Sequence, residues 1–300
     1  VSHLGVDLSN YNTNLNYSAL HQAEVEFAYI LMTDGDDFRD ALAITHVQGC
    51  EAAGIAWGGY HFLRPSPPNG LTIAAQSVYF INYLLAMPAR PQLPSACDVE
   101  TEDPAGWAHL SSTAAEWMSN VEGANSTPND LCVLYTNVNF AQNMPGWPLS
   151  RPAWLADPSN VAPQLSRLIT QTGQQAFPSN PTLDVDEFVG TEAQWSAFVQ
   201  QASPNPQPGE PMAQSEIVSF KPGQLDTFQV AQGTLWHKWG IGGQWTNEAI
   251  PHPAGVSFVG EPKVSIVGGG CWVTAEDSTG REWAFVQAAS EGVWNNVQLP

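Results

Sequence analysis

Residues 93–100 read LPSACDVE, an apolar run that closes on two carboxylates set two positions apart. In an extended strand residues i and i+2 share a face, so Asp98 and Glu100 project together while Cys97 and Val99 point the other way. Two acids crowded on one face repel. The repulsion raises at least one pKa and leaves a protonated acid beside an ionised partner near neutral pH, a pairing suited to cleaving glycosidic bonds. The same residues also read as a solvated acidic loop, because Glu102 and Asp103 follow at once.

Outward from this run the pattern repeats. LGVDLS (4–9), FAYILMT (27–33), IAWGGYHF (55–62), LCVLYTN (131–137), PAWLAD (152–157), RLITQTG (167–173) and TLDVDEF (182–188) are short strand-like runs. Between them lie helical stretches such as DALAITHVQGCEAAG (40–54), with apolar residues at helical spacing and Gly54 placed as a C-cap. Eight strands alternating with helices predict an α/β fold, a TIM-like (β/α) barrel that is parallel and closed or nearly closed, with helices shorter and less regular after residue 140. In such a barrel the site lies at the C-terminal ends of the strands. The polar residues expected there are Asp7, Ser9, Asp34, Tyr60, His61, Asp98, Glu100, Tyr135, Trp154, Gln171, Asp184 and Asp186.

Composition narrows the function. Nine Lys+Arg against 29 Asp+Glu leave a formal net charge of −20. Nucleic acid is not an expected partner, since phosphate binding needs clustered basic residues. No apolar run reaches the roughly 18 residues of a transmembrane helix, so no membrane insertion is expected. The chain opens on Val1 without a basic, apolar signal segment and reads as a mature or trimmed form. Cys50, Cys97, Cys132 and Cys271 are scattered without metal-ligand spacing and read as buried thiols. No HExxH or Walker A pattern occurs, and VGGGCW (267–272) lacks dinucleotide-loop spacing, so neither cofactor nor metal is expected.

The ordered segments GVDLSNYN (5–12), YHFLRP (60–65), ACDVE (96–100), LYTNVNF (134–140) and LDVDEF (183–188) together resemble glycoside hydrolase family 25, the lysozyme-type muramidases. The resemblance covers about two-thirds of the chain. It departs at Met32, where the family often carries a basic residue, and at ITQTG (169–173), where an aromatic pair is reduced. It implies cleavage of the β-1,4 bond between N-acetylmuramic acid and N-acetylglucosamine of bacterial peptidoglycan. Glu100 then matches the general acid. Asp98 matches its partner, either orienting the 2-acetamido group or stabilising an oxocarbenium-like state. Asp7 and Asp184 match the other acids of the cleft. Tyr60, Tyr135 and Trp154 are sugar platforms, with Gln171 and Asp186 as further substrate contacts. Other readings stand beside these: Asp7 as an acceptor of strand-end N–H groups, Asp186 as a cap or a holder of a structural cation, and His61 as a satisfied core histidine. For the whole chain the alternative is a barrel that has lost catalysis and serves as a wall-binding or virion-surface protein. Peptidoglycan lies outside the cytoplasmic membrane, so the expected location is extracellular or phage-delivered.

Residues 1–202 are therefore the expected catalytic barrel. SPNPQPGEPMAQS (203–215) reads as a Pro-rich linker. From 216 to 300 helical periodicity stops and tryptophans crowd. There VSF…GTLWHKWGIGGQWTN is echoed by VSI…GREWAFVQAASEGVWNN, with Val218 matching Val264, Trp236 matching Trp283 and Trp245 matching Trp294. The spacing is near that of a four-stranded propeller blade and resembles Trp-rich two-blade lectins and tectonin-like repeats. A smaller all-β C-terminal domain is expected, either glycan-binding and closed by assembly into a homotrimer or a small sandwich with core tryptophans.

Overall fold

Why the strand runs close on themselves is visible in their register. A computed structural model describes residues 2–66, 72–125, 131–200, 216–218, 224–231, 233–241, 244–267, 270–288 and 294–299. β1 (His3–Leu8) pairs in parallel with β2 (Val25–Asp34), and β2 carries a two-residue hairpin partner, β3 (Phe38–Arg39). The parallel series continues through β4 (Ala56–Phe62), β5 (Ala96–Asp98), β6 (Val133–Asn137), β7 (Ala153–Ala156) and β8 (Ile169–Ala176). β9 (Thr182–Phe188) then joins β8 to β1 and closes an eight-stranded barrel.

The expectation of an entirely parallel barrel is corrected at β9, which runs antiparallel to both neighbours. The cause is connection length. Only residues 177–181 separate β8 from β9, and a parallel crossover needs about a dozen or more. The alternation of TLDVDEF shows a strand but carries no direction. The reversal has a consequence for the site: Asp184, near the start of β9, lies opposite Asp7, near the end of β1.

Outside the strands lie α1 (Tyr17–Gln22), α2 (Ala43–Ala53), α3 (Ile73–Leu85), α4 (Trp107–Asn125) and α5 (Val138–Asn143). Gly54 caps α2 as expected. α6 (Glu192–Gln200) places Trp195 and Phe198 in one apolar cluster with Phe27, Tyr29, Ala96, Val133, Trp154, Ile169 and Phe188. Trp195 stacks on His3 at the N-terminal end of β1, 4.2 Å between ring centroids, so α6 plugs the end of the barrel remote from the C-termini of the parallel strands. A Cβ built on Gly5 would come 2.3 Å from the Phe27 ring, so only glycine admits that ring here.

The chain divides into two compact units, Val1–Pro204 and Asn205–Pro300; the stretch 203–215 lies outside the described residues. In the second unit β10 (Glu216–Val218), β11 (Gln224–Ala231), β12 (Thr234–Ile241) and β13 (Gln244–Ala249) form one antiparallel sheet. β14 (Phe258–Val267), β15 (Gly270–Asp277), β16 (Glu282–Ala288) and β17 (Trp294–Gln298) form another. The sequence echo maps strand onto strand: Val218 and Val264 lie on β10 and β14, Trp236 and Trp283 on β12 and β16, Trp245 and Trp294 on β13 and β17. Phe228, Leu235, Phe258, Val273, Phe285 and Trp294 share one core across both sheets. Trp283 and Trp294 are buried, donating their N–H groups to Asp277 and Glu248, so these two are core residues with no face open to a sugar. Trp272 is exposed.

Candidate active site

Strand parity selects the side chains at the barrel mouth. The interior cluster takes Phe27 and Tyr29 from β2, Ala56 and Tyr60 from β4, Ala96 from β5, Val133 and Tyr135 from β6, Trp154 and Ala156 from β7, and Ile169 from β8. Stepping two residues toward the C-terminal end of β5 brings Asp98 inward, and on β8 it brings Gln171. Register agrees: Asp98 pairs with Tyr135, Ala156 with Gln171, and Asp7 with Asp184. Glu100 lies beyond β5, where Val99 still donates to the Tyr135 carbonyl at 3.0 Å and keeps the segment extended.

Hydrogen bonds tie this ring together. The Tyr135 hydroxyl donates to Gln171 Oε1 at 3.0 Å, and Gln171 Nε2 donates to Asp7 Oδ2 at 2.7 Å. A bulge between Gln171 and Gly173 allows this, since Gln171 pairs with Asp186 while Gln174 pairs with Asp184. Gly173 bears the strain at φ +126°, a conformation L side chains rarely adopt. Beneath the ring, Trp154 Nε1 donates to Asp186 Oδ1 at 2.7 Å.

Burial, and then mutual repulsion, raises the pKa values of Asp7, Asp98 and Glu100. Burial, then Asp184, pushes Asp7 up to about 7, against the hydrogen bond from Gln171 and with a further push from Glu100. Asp98 is raised well above the usual carboxylate range by burial, then by Glu100, Asp7 and Asp34, with Arg64 pulling it down. It is 6% exposed, and among the described residues its Oδ1 has no hydrogen-bond partner. Glu100 is exposed. Burial of part of its carboxyl raises it, a hydrogen bond with Asn137 lowers it, and Asp184 raises it again. Such a cluster stores protons near neutral pH and can deliver one to a group entering the mouth.

Residues 6–175 match the sequence profile of glycosyl hydrolases family 25. The chain belongs to that family. Among curated proteins it is 36% identical over 76 residues to lysozyme M1 of Streptomyces globisporus, spanning 25% of each chain. It is 26% identical over 149 residues to the N,O-diacetylmuramidase of Chalaropsis, covering 47% of this chain and 69% of that one. The chain thus aligns with about a quarter of the Streptomyces protein's length. Among solved structures, a family 25 glycosyl hydrolase from Bacillus anthracis superimposes with a TM-score of 0.56 at 18% identity, covering 65% of this chain and 92% of that one.

Within this family 25 barrel the residues expected from sequence separate into two layers. Asp7, Asp98, Glu100, Asp184, Gln171, Tyr60 and Tyr135 meet at the mouth. Two expected substrate contacts do not. Trp154 is 2% exposed, with Tyr29 stacked on it at 4.8 Å and Tyr135 tilted against it at 4.4 Å, so its role as a sugar platform is corrected to that of a buried donor. Asp186 is fully buried below Asp7, and burial, Asp7 and Asp184 drive it well above the usual carboxylate range; it supports the mouth from beneath. Tyr135, 7% exposed, offers its hydroxyl more than its ring face. His61 points outward, between Thr33 at 2.8 Å and Gln76 at 3.2 Å and stacked on Trp117, and burial lowers it to about 3: a core histidine.

Two residues had not been singled out as functional. Asn137 caps α5 through Oδ1, which accepts from Phe140 N at 3.2 Å, and its side chain also hydrogen-bonds Glu100. An Asn ending a strand and opening a helix is the signal that could have revealed it. Arg64 grips Asp34 beside Asp98. An Arg directly after the YHFL run, in a chain with only nine Lys+Arg and a net charge of −20, is the signal that could have revealed it.

Proposed function

We propose that the barrel is an N-acetylmuramidase that cleaves the β-1,4 bond between N-acetylmuramic acid and N-acetylglucosamine in bacterial peptidoglycan. One observation carries this reading: in a family 25 chain, Asp7 of β1, Asp98 of β5 and Glu100 just beyond it, all with raised pKa values, converge with Asp184 of β9 at the barrel mouth. Glu100, exposed and held by Asn137, is the general acid that protonates the leaving oxygen. A bound glycan covers Glu100, desolvates it further and draws the shared proton onto it. Asp98 then carries the negative charge. Its unpartnered Oδ1 is an acceptor suited to the N–H of a 2-acetamido group, which supports the orienting role over simple charge stabilisation. Asp7 and Asp184 bound the other side of the cleft, and Tyr60 supplies the aromatic contact.

The C-terminal unit is proposed to hold wall glycan. Its exposed Trp272 and its two four-stranded sheets, whose outer strands pair with no further strand among the described residues, suit closure with other copies, three chains making six blades. The substrate places the protein's action outside the cytoplasmic membrane, after secretion or as part of phage lysis. The test is digestion of purified peptidoglycan with mass spectrometry of the new reducing ends. Muramic acid ends are expected; N-acetylglucosamine ends, or no products, would contradict the assignment.

A further inference from the structure

A bulge in β2 prepares a second charged pair beside the acids. β2 and β4 pair Leu31 with Tyr60, then skip a residue and pair Thr33 with His61 and Asp34 with Phe62. The skip at Met32 reverses parity, so Asp34 turns onto the inner face with Tyr60 and Phe62 while Thr33 turns outward to His61. Arg64 meets Asp34 through two bonds, Nε to Oδ1 and Nη2 to Oδ2, each 2.6 Å. Its guanidinium lies 4.4 Å from the Phe62 ring centroid, and Nη1 donates to Thr101 Oγ1 at 3.3 Å, the residue after Glu100. Gln76 fixes the Arg64 backbone, accepting from its N–H at 3.1 Å and donating to its carbonyl at 2.8 Å.

This geometry exceeds what stability asks for. The side chains of Arg64 and Asp34 are 42% and 28% exposed, and ion pairs so exposed contribute little to folding. Their position is informative instead. Asp34 of β2 and Asp98 of β5 flank Phe62 of β4 in register, and the groups that act on Asp98 are Glu100 on its own segment, Asp7 from β1, Asp34 from β2 and Arg64 beyond β4; Tyr60 and Tyr135 also face it, while Cys97 adjoins it on the opposite face. Among the described residues Arg64 is the one cation in that set.

We propose that the Arg64–Asp34 pair is a positioning device that balances charge beside Asp98 and so decides how readily Asp98 yields the shared proton to Glu100. The inference rests on the muramidase reading for its consequence in catalysis, though not for the titration itself. Each half of the pair acts on Asp98 with opposite sign, and each masks the other. Breaking the pair from either side therefore has opposite effects.

Side-chain carboxyl NMR of 13C-labelled protein, with the Asp98 signal assigned through Asp98→Asn, reads this without substrate. Arg64→Gln leaves Asp34 unbalanced, and the Asp98 titration should move up by about half a pH unit or more. Asp34→Asn frees Arg64 and should move it down. The double variant should return near wild type, and Arg64→Lys, which keeps the charge, should lie closer to wild type than Arg64→Gln. The acidic limb of kcat/KM on peptidoglycan should follow the same order. Shifts of one sign in both single variants, or no shift in either, would overturn the pair's role. Opposite shifts in a protein that never cleaves peptidoglycan would leave the pair's electrostatic role standing and remove the muramidase reading alone.

Discussion

Asp7 shows what the site costs the fold. Its carboxyl is raised from 3.8 to about 7, so folding favours the protonated form. That contribution is complete below about pH 4 and is lost as pH rises through about 7. Asp7→Asn keeps an acceptor for Gln171 Nε2 and removes the ionisation. The variant should gain about 1–3 kcal/mol over wild type at pH 8 and almost nothing at pH 4, read by urea unfolding at the two pH values. Equal effects at both would contradict the account of the cluster. Trp154→Phe tests the layer beneath. It keeps the ring packing but strips Asp186 of its donor, and a loss of about 1–3 kcal/mol is expected, with a midpoint unchanged from wild type as the opposing result.

Elements carry the second scale. α6 lies beyond the matched residues 6–175, yet Trp195 and Phe198 fill the barrel's lower end against Phe27 and Phe188. Trp195→Ala should cost about 3–5 kcal/mol of unfolding free energy while leaving the pH profile of activity in place, because the plug lies at the opposite end from the carboxylates. A change below about 1 kcal/mol would show that α6 is dispensable. All eight barrel strands were legible, since short β-branched and aromatic runs bounded by turns declare themselves locally. The direction of β9 was not, because direction depends on the length of a turn rather than on the strand's own residues. The acids were legible too, from i, i+2 spacing and family resemblance. What escaped was depth. Trp154 and Asp186 share inward parity with true mouth residues and even pair in register with two of them, Tyr135 and Gln171, and only the packing of neighbouring strands around them buries them beneath the mouth. The β2 bulge escaped for the same reason, since Met32 looks like any apolar strand residue.

At the scale of the whole molecule the two compact units predict separable behaviour. Residues 1–204 alone should fold and cleave soluble wall fragments at a rate near that of the full chain but clear intact walls more slowly. Residues 205–300 should be retained on walls without cleaving them; a barrel that fails to fold alone, or a C-terminal unit that washes off walls, would contradict this division. Light scattering on the full chain tests the six-bladed closure: a trimer mass supports it, a monomer mass at micromolar concentration overturns it. The central claim, that the mouth acids perform acid catalysis on a glycan, rests most directly on Glu100. Turnover of peptidoglycan by Glu100→Gln, in a variant whose circular dichroism matches wild type, is the decisive measurement, because the amide fills the same space and cannot release the proton. A fall of about a hundred- to ten-thousand-fold is predicted; turnover within a few-fold of wild type would contradict it.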